Sequence, residues 1–451
     1  MTNFTVQRIG YNLYQMVSGR RILSQWEEFE RNQWLSPTEI ESLQFRQLHD
    51  LLTHAYQHVP FYRTRMESVG FYPESDSSLN GLCNLPLLTK DDILAHRDDL
   101  VADNFPLASL KLNASGGSTG HTLSFFNDRP SLDARSAITI RSDRWAGLDI
   151  GTPHARLWGA PLDLRVQQRL LNRLNNYLLK RLWLDCFRMS GSLMAAYAYK
   201  LQRYHPQVII GYATALVTLA QFLQANGITD VHPKGIISSA ETLFDDQRQI
   251  IETAFGCKVY NRYGCRETGP IACECPQGKL HINADFVILE VLKNSKPATP
   301  GEIGEIMLTP LFSYGMPLIR YRVGDLGVAA EPEPCACGRG LPTIERVIGR
   351  TSDMLVNTRG ELFHGEYFTH LFYNQPGLRQ FQVLQPDRQH IQFKLVTGPE
   401  FDPQLIKILE AKILTFVGPI TISWEQVDEI PPLPSGKRAF TISQVVAEYT
   451  S

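Results

Sequence analysis

The fold is indicated by residues 207–260, which read QVIIGYATALVTLAQFLQANGITDVHPKGIISSAETLFDDQRQIIETAFGCKVY. Three short apolar runs in this stretch predict β-strands at 207–211, 235–239 and 257–260. The two segments between them have helical periodicity and end at Gly227 and Gly256, which are typical helix stops. Strand and helix alternating at this spacing predict a parallel sheet in an α/β fold.

Ligands of such sheets bind beyond the carboxyl ends of the strands. The second and third predicted strands end at neighbouring positions, followed by polar and aromatic side chains. We therefore expect Ser239-Ala240-Glu241 and Asn261-Arg262-Tyr263 to lie on the same rim of the sheet.

The segments on either side predict the rest of the large domain. Residues 1–100 are rich in helix formers, and Ser36 followed by Pro37 indicates a helix start. A further helix is expected within 131–150. Strands at 286–292 and 305–309, separated by a Pro/Gly turn region, indicate an antiparallel subdomain.

The last hundred residues predict a separate unit. Residues 381–383 and 391–395 alternate as strands, a helix capped by Asp402 follows, and 421–427 is a further strand. The fold class is therefore α/β, with parallel sheets and an antiparallel subdomain. We expect a large N-terminal domain at 1–348 and a small, mobile C-terminal α+β lid domain at 349–451.

Composition excludes several classes of protein. The 451 residues are 43% hydrophobic and 20% charged, with a formal net charge of -2. No basic excess exists to neutralise phosphates over a wide surface, so we expect no nucleic acid as a main partner. No apolar run reaches the ~18 residues of a spanning helix, and the first residues do not resemble a signal peptide. We expect no membrane span and a cytoplasmic location.

A glycine-rich loop, Ser115-Gly116-Gly117-Ser118-Thr119-Gly120-His121, has the composition of a phosphate site. Its backbone N–H groups can approach an anion closely, and its hydroxyl groups can donate to it. The loop is not a Walker loop, because no lysine follows the last glycine. A Ser/Gly-rich surface turn is the alternative, and only motifs elsewhere in the chain can decide between the two.

Four later motifs follow this loop in order. They are Asn261-Arg262-Tyr263-Gly264-Cys265-Arg266-Glu267, Tyr321-Arg322-Val323-Gly324-Asp325, Gly349-Arg350-Thr351-Ser352-Asp353 and Pro434-Ser435-Gly436-Lys437. In order and spacing, the five motifs resemble those of the adenylate-forming enzymes: acyl-CoA synthetases, peptide-synthetase adenylation domains and luciferases. The sequence looks most like phenylacetate-CoA ligase and its capsule-biosynthesis-type relatives, in which the tyrosine-glycine motif often continues into Arg-Glu. The resemblance covers roughly residues 80–440.

This resemblance implies an ATP site with the glycine-rich loop at the phosphates. It implies that Glu267 holds Mg²⁺, that Asp325 accepts from the ribose hydroxyls, and that Arg350 binds ribose or phosphate. Lys437 is implied to reach the α-phosphate and the reacting carboxylate. The residues implied to surround the adenine base or to belong to its motif are Ala240, Glu241, Asn261, Arg262, Tyr263 and Gly264.

Three positions depart from the family pattern. His121 stands where the loop usually carries lysine, so a fixed charge near pyrophosphate is missing at neutral pH. Arg266 replaces a common threonine and could restore that charge at the α-phosphate. Ser352 occupies the position where many relatives carry a hinge aspartate, and Asp353 follows it.

Eight cysteines are too few for a disulfide scaffold. Cys275, His281, Cys335 and Cys337 supply three thiolates and one imidazole, enough for a structural Zn²⁺ site without an open position. Cys273 competes with Cys275 as the ligand. Free thiols are the alternative, because the spacing is not that of a common zinc knuckle.

The resemblance implies an AMP-forming carboxylate ligase that uses ATP and Mg²⁺ and transfers the acyl group to a thiol, most plausibly coenzyme A. Transfer to an amine, a hydroxyl or a carrier-protein thiol is the second hypothesis, and a catalytically degenerate nucleotide-binding protein is the third. A homodimer or a carrier protein is a possible partner. The acid is expected to be aryl or otherwise flat and apolar, in a pocket lined by Trp158, Gly159, Tyr212, Ala213, Ser238 and Ser239.

Overall fold

The computed structural model describes residues 2–76, 81–114, 123–159, 176–177, 179–186, 189–350, 354–360, 362–372, 375–431 and 440–445. In these residues the α-helices are α1 (Thr2–Ser18), α2 (Ile22–Asn32), α3 (Pro37–His58), α4 (Pro60–Ser68), α5 (Pro73–Asp76), α6 (Lys90–Ala95), α7 (Arg129–Trp145), α8 (Gly191–Tyr204), α9 (Ala213–Ala225), α10 (Asp245–Phe255), α11 (Glu366–Phe372) and α12 (Gln404–Val417). No helix in this part of the chain is long and apolar enough to cross a membrane.

The strands are β1 (Lys111–Ala114), β2 (Ser124–Asn127), β3 (His154–Leu157), β4 (Arg181–Leu184), β5 (Val208–Gly211), β6 (Gly235–Ser239), β7 (Val259–Cys265), β8 (Gly269–Glu274), β9 (Leu280–Ile282), β10 (Val287–Lys293), β11 (Lys296–Pro297), β12 (Ile303–Pro310), β13 (Tyr321–Ala329), β14 (Thr343–Arg350), β15 (Met354–Val356), β16 (Leu362–His364), β17 (Leu378–Asp387), β18 (His390–Thr397), β19 (Thr421–Gln426) and β20 (Thr441–Ser443).

A twelve-stranded mixed sheet organises the large part of the molecule, in the order β11-β10-β12-β13-β14-β9-β8-β7-β6-β5-β3-β4. In this sheet order the strands from β7 to β4 pair in parallel. The strand and helix alternation predicted this for β5, β6 and β7. From β7 onward the pairing is antiparallel. The expected antiparallel subdomain therefore continues the parallel sheet through the β7–β8 pair.

The helix starts and stops explain where the elements end. Ser36 and Glu39 form the capping box of α3, with Pro37 in its first turn. Gly256 closes α10 in the left-handed conformation. The helix expected after Asp402 begins at Gln404, whose backbone N–H donates to the Asp402 side chain at 2.9 Å.

The apolar residues form several cores. One extends from the N-terminal helices across the antiparallel strands, and a second lies between β3, β5 and β6 and helices α8 to α10. A third belongs to the C-terminal region, where a four-stranded sheet, β19-β18-β17-β20, packs on α11 and α12. This separate core agrees with the α+β unit expected there.

A buried histidine at the start of β3 makes stability depend on pH. His154 lies 3.0 Å from the Thr152 carbonyl oxygen through Nδ1, and its Nε2 accepts from Arg181 Nε at 3.1 Å. Burial, followed by the guanidinium groups of Arg181 and Arg156, lowers the pKa of His154 to about 3. The folded protein therefore holds this imidazole neutral.

We expect the free energy of unfolding to fall as the pH falls from about 6.5 towards 3. Across this window the unfolded chain protonates His154 and the folded chain does not, which costs ~1.4 kcal/mol per pH unit from this group. A His154→Gln variant should show a shallower pH dependence in urea unfolding measured between pH 7 and 4. Parallel curves for the two proteins would exclude His154 as the cause.

Candidate active site

Side chains from three strands meet at Asp325 on β13. The Tyr263 hydroxyl on β7 donates to Asp325 Oδ2 at 2.7 Å. Arg350 on β14 stands opposite Asp325 in the strand register, with its Nε 3.7 Å from Asp325 Oδ1. The structure thus brings together three residues that the resemblance assigned to one nucleotide.

Charge and burial act in opposite directions on Asp325. Burial raises the pKa of its carboxyl group, whereas the Arg350 guanidinium and the Tyr263 hydroxyl lower it. The residue before it, Gly324, has a φ of +83°, a conformation that glycine adopts without strain. The carboxylate has two oxygens that can accept several hydrogen bonds, which suits a vicinal diol such as ribose.

Glu267 lies at the other end of this cluster. Its side chain is 6% exposed, and its Oε1 accepts from the Tyr321 hydroxyl at 3.4 Å. The half-buried Arg135 on α7 donates through its guanidinium to the backbone carbonyl groups of Arg266, at 2.9 Å, and of Glu267. The backbone at Glu267 is therefore fixed without the help of its own carboxylate.

The strand that carries the tyrosine motif is longer than expected, because β7 continues to Cys265 to pair with β8. A side chain at Gly264 would place its Cβ 2.6 Å from the Gly269 carbonyl oxygen, so only glycine allows this approach. Directly after the neighbouring strand β6, Ala240 has a φ of +71°, which is strained for a residue with a Cβ. Backbone strain of this kind clusters at active sites and ligand-binding positions.

Two predicted adenine residues have other partners. Glu241 Oε2 accepts from the Thr214 backbone N–H at 2.9 Å and from its hydroxyl at 2.8 Å, at the start of α9. Arg262 forms an ion pair with Asp143 on α7 at 2.6 Å and donates to Ser239 Oγ at 3.4 Å. These contacts fix the rim. Asn261 and Tyr263 point to the opposite face from Arg262, because side chains alternate along a strand.

The residues expected to line the acyl pocket end three adjacent strands. Ser238 on β6 stands opposite Gly211 on β5, which in turn stands opposite Leu157 on β3. The rings of Trp158 and Tyr212 follow those strands and lie edge to face, with centroids 4.5 Å apart. Gly159, Ala213, Ser238 and Ser239 are buried. Ser238 Oγ has no hydrogen-bond partner among the described residues.

Several predicted residues lie outside the described residues. They are Ser115, Gly116, Gly117, Ser118, Thr119, Gly120, His121, Ser352, Asp353 and Lys437. Arg266 is described and half-buried. The assignments of these residues stay predictions.

Sequence reasoning missed Lys90. This residue begins α6, and its ammonium interacts electrostatically with Glu267, Asp325 and Arg350. The sequence signals a helix start here, because Thr89 and Asp92 form a capping box. The sequence does not show that this helix start lies against β13.

A second cluster of side chains lies where the residue after β8, strand β9 and the segment before β14 meet. The ligand atoms of Cys275, His281, Cys335 and Cys337 lie within 4.8 Å of one another. The sulfurs of Cys275 and Cys335 are 3.8 Å apart, and Cys337 Sγ is 3.3 Å from His281 Nε2. Tetrahedral Zn²⁺ with bonds of about 2.3 Å to sulfur places two thiolates ~3.8 Å apart. These residues therefore fit zinc, and Cys275, not Cys273, belongs to the cluster.

The surroundings of the cluster suit a structural metal. His281 Nδ1 lies 2.7 Å from the Leu341 carbonyl oxygen, which fixes the ring and directs Nε2 to the cysteines. The segment between β13 and β14 carries Cys335, Cys337 and also Arg339. Arg339 Nε donates to Gln33 Oε1 at 2.8 Å, and its guanidinium lies 4.6 Å from the Trp145 ring centre. The cluster therefore joins the sheet to the N-terminal helices.

Comparisons with known proteins show what this chain is similar to. A family model of the CapK C-terminal domain matches residues 355–444. The chain is 27% identical over 398 residues to Protein CapK of Staphylococcus aureus, covering 85% of this chain and 87% of CapK. It is 25% identical over 412 residues to phenylacetate-coenzyme A ligase of Aromatoleum evansii, covering 85% of this chain and 89% of that one. The chain is thus similar along most of its length to CapK and to a phenylacetate-coenzyme A ligase.

A solved structure shows the same fold. A crystal structure of 2-hydroxyisobutyryl-CoA ligase in complex with 2-HIB-AMP aligns with a TM-score of 0.73 at 19% identity, covering 92% of this chain and 91% of that one.

Proposed function

We propose that this protein is an AMP-forming acid–thiol ligase. The observation that carries the proposal is the convergence of Tyr263, Asp325 and Arg350, with Glu267 beside them, at the rim of the sheet. Three motifs distant in the chain form one cluster whose groups suit the ribose and phosphates of ATP. The relatives named phenylacetate-coenzyme A ligase support the reaction class.

The proposed reaction has two steps. A carboxylate oxygen attacks the α-phosphorus of ATP, the bond to the β-phosphate oxygen breaks, and pyrophosphate leaves. A thiol sulfur then attacks the carbonyl carbon of the acyl-adenylate and AMP leaves. The first step brings two anions together, so the site must supply positive charge, hydrogen-bond donors and alignment.

Four residues of the cluster have a part in the proposed first step. Asp325 would accept from the ribose hydroxyls, with Arg350 beside it. Tyr263 would present its ring to adenine, and its hydroxyl holds the Asp325 carboxylate in place. Glu267 would hold Mg²⁺, which prefers oxygen ligands and neutralises phosphate charge when bound.

The acid and the acceptor are the finer parts of the proposal. The adjacent aromatic rings of Trp158 and Tyr212, beside small buried residues, favour an aryl or other flat apolar acid. Coenzyme A is the acceptor that the phenylacetate-coenzyme A ligase relatives support. Transfer to an amine, a hydroxyl or a carrier-protein thiol is the alternative to coenzyme A.

The test is carboxylate-dependent exchange of labelled pyrophosphate into ATP across aryl, alkyl and amino acids. An acid that supports exchange is then offered with coenzyme A, hydroxylamine and a phosphopantetheinylated carrier, and the product is identified by mass spectrometry. Thioester formation with coenzyme A supports the ligase. ATP binding without exchange for any acid favours the degenerate nucleotide-binding protein.

We also propose that Cys275, His281, Cys335 and Cys337 hold one structural Zn²⁺ per chain. The donor set is closed, so the metal leaves no position for a substrate. Its expected effect is to hold the loop that carries Arg339 against the N-terminal helices.

Cys337→Ser is expected to remove the metal and to lower the melting temperature more than it lowers the affinity for ATP. The loop would lose its attachment to the sheet, whereas the ATP cluster lies elsewhere. Metal analysis and thermal unfolding check this, with Cys273→Ser as the control, because Cys273 is a buried cysteine on β8, two residues before Cys275, but lies outside the cluster. Zinc-free wild-type protein would refute the assignment, as would a Cys337→Ser protein of unchanged stability.

A further inference from the structure

The segment before α6 is attached directly to the nucleotide cluster. Leu88 pairs in parallel with Tyr321 at the start of β13. Its backbone N–H donates to the Arg320 carbonyl at 3.0 Å, and its carbonyl accepts from the Arg322 N–H at 2.9 Å. Tyr321 contacts Glu267, so the strand that Leu88 pairs with lines the cluster. Lys90 follows Leu88 by two residues.

Two arginines hold this segment in one position. The buried Arg320 guanidinium donates to the carbonyl groups of Cys83 and Leu85 at 2.8 and 2.5 Å. Arg65 on α4 donates to the Leu87 carbonyl at 2.5 Å and lies 3.4 Å from Asp92. The site of Lys90 is therefore built by the N-terminal helices and β13 together.

The Lys90 side chain is half-buried, and no hydrogen bond or ion pair engages its ammonium within the described ranges. Glu267, Asp325 and Cys265 favour its charge, while burial, the largest effect, and the Arg350 guanidinium lower its pKa. Partly burying an ammonium without a hydrogen-bond acceptor is costly, so a position of this kind suits an anionic ligand. The glycine-rich loop supplies no lysine, since His121 stands there.

We propose that Lys90 binds the triphosphate chain of ATP and supplies the positive charge that the glycine-rich loop lacks. This inference rests on the proposed function for its ligand. It adds a substrate-binding residue from the N-terminal helical part to a site otherwise built by the sheet.

The experiment measures the affinities of wild type, Lys90→Gln and Lys90→Arg for ATP, AMP and adenosine by calorimetry with Mg²⁺ present. Lys90→Gln should weaken ATP binding by about 10- to 100-fold, AMP binding by less, and adenosine binding not at all, because a contact to a charged group is lost only where phosphate is present. Lys90→Arg should recover part of the ATP affinity. Lys296→Gln, the same change at an exposed lysine on β11, is the control.

These binding measurements need no acid and no turnover, so they separate this inference from the reaction. Equal losses for ATP and adenosine would show that Lys90 only supports the fold, and unchanged ATP affinity would show that it does not bind phosphate. Either outcome overturns the inference. Absence of pyrophosphate exchange in wild type, with the ATP-specific loss present, would instead contradict the ligase and leave Lys90 as a phosphate-binding residue.

Discussion

Glu267→Gln is expected to lower the rate of acyl-adenylate formation by on the order of 10²- to 10³-fold with the fold intact. The substitution keeps the size of the side chain and its ability to accept from the Tyr321 hydroxyl. It removes the negative charge that would hold Mg²⁺ at the phosphates. Arg135 binds the backbone carbonyls at 266 and 267 and not the carboxylate, so the local backbone should not move.

The measurement is pyrophosphate exchange as a function of Mg²⁺ concentration, with thermal unfolding as the check on the fold. Glu410→Gln is a matched control, because Glu410 also accepts from an aromatic side chain, Trp424 Nε1 at 3.0 Å, but lies on α12. The control should exchange at the wild-type rate. A Glu267→Gln protein with a normal rate at saturating Mg²⁺ would remove Glu267 from the metal site.

The parallel half of the sheet could be predicted because its information is local. Each strand of residues 207–260 is a short apolar run, and each helix has a periodic face and a glycine stop. The structure confirms these elements within a few residues. The close pairing of Ser239 with Arg262 also follows, since parallel neighbours end at one rim.

The antiparallel half of the sheet is harder to predict from the sequence, because its strands pair with partners that are distant in the chain. β9 is only Leu280–Ile282, yet it joins β8 to β14 and so makes one sheet of two expected parts. A three-residue strand has too short an alternation to be recognised from its pattern.

Some residues of the candidate site could be predicted from the sequence and others could not. The motifs that carry Tyr263, Asp325 and Glu267 could be found because each is a compact string in a recognisable order. Lys90 carries no such string, and its place beside Glu267 arises from the pairing of Leu88 with Tyr321. A single residue that reaches a site only through the pairing of distant segments has no local sequence motif by which to recognise it.

Lys437→Ala is expected to lower carboxylate-dependent pyrophosphate exchange by on the order of 10²- to 10³-fold. The residue ends Pro434-Ser435-Gly436-Lys437, at the position of the family lysine that reaches the α-phosphate and the reacting carboxylate. Negative charge develops there as the carboxylate attacks, and an ammonium in place stabilises it. Residues 355–444, which match the CapK C-terminal domain, include this motif.

The loss should be confined to the first step. In the adenylate-forming enzymes that the sequence resembles, the small C-terminal domain rotates between the two half-reactions, which would carry the lysine away before the thiol attacks. Lys437→Ala should therefore convert a supplied acyl-adenylate and coenzyme A to the thioester at nearly the wild-type rate, measured by single-turnover kinetics. Lys407→Ala, an exposed lysine of α12, should leave both steps unchanged. Equal losses in both half-reactions would mean that Lys437 supports the fold, or that this enzyme completes both steps in one arrangement of its domains.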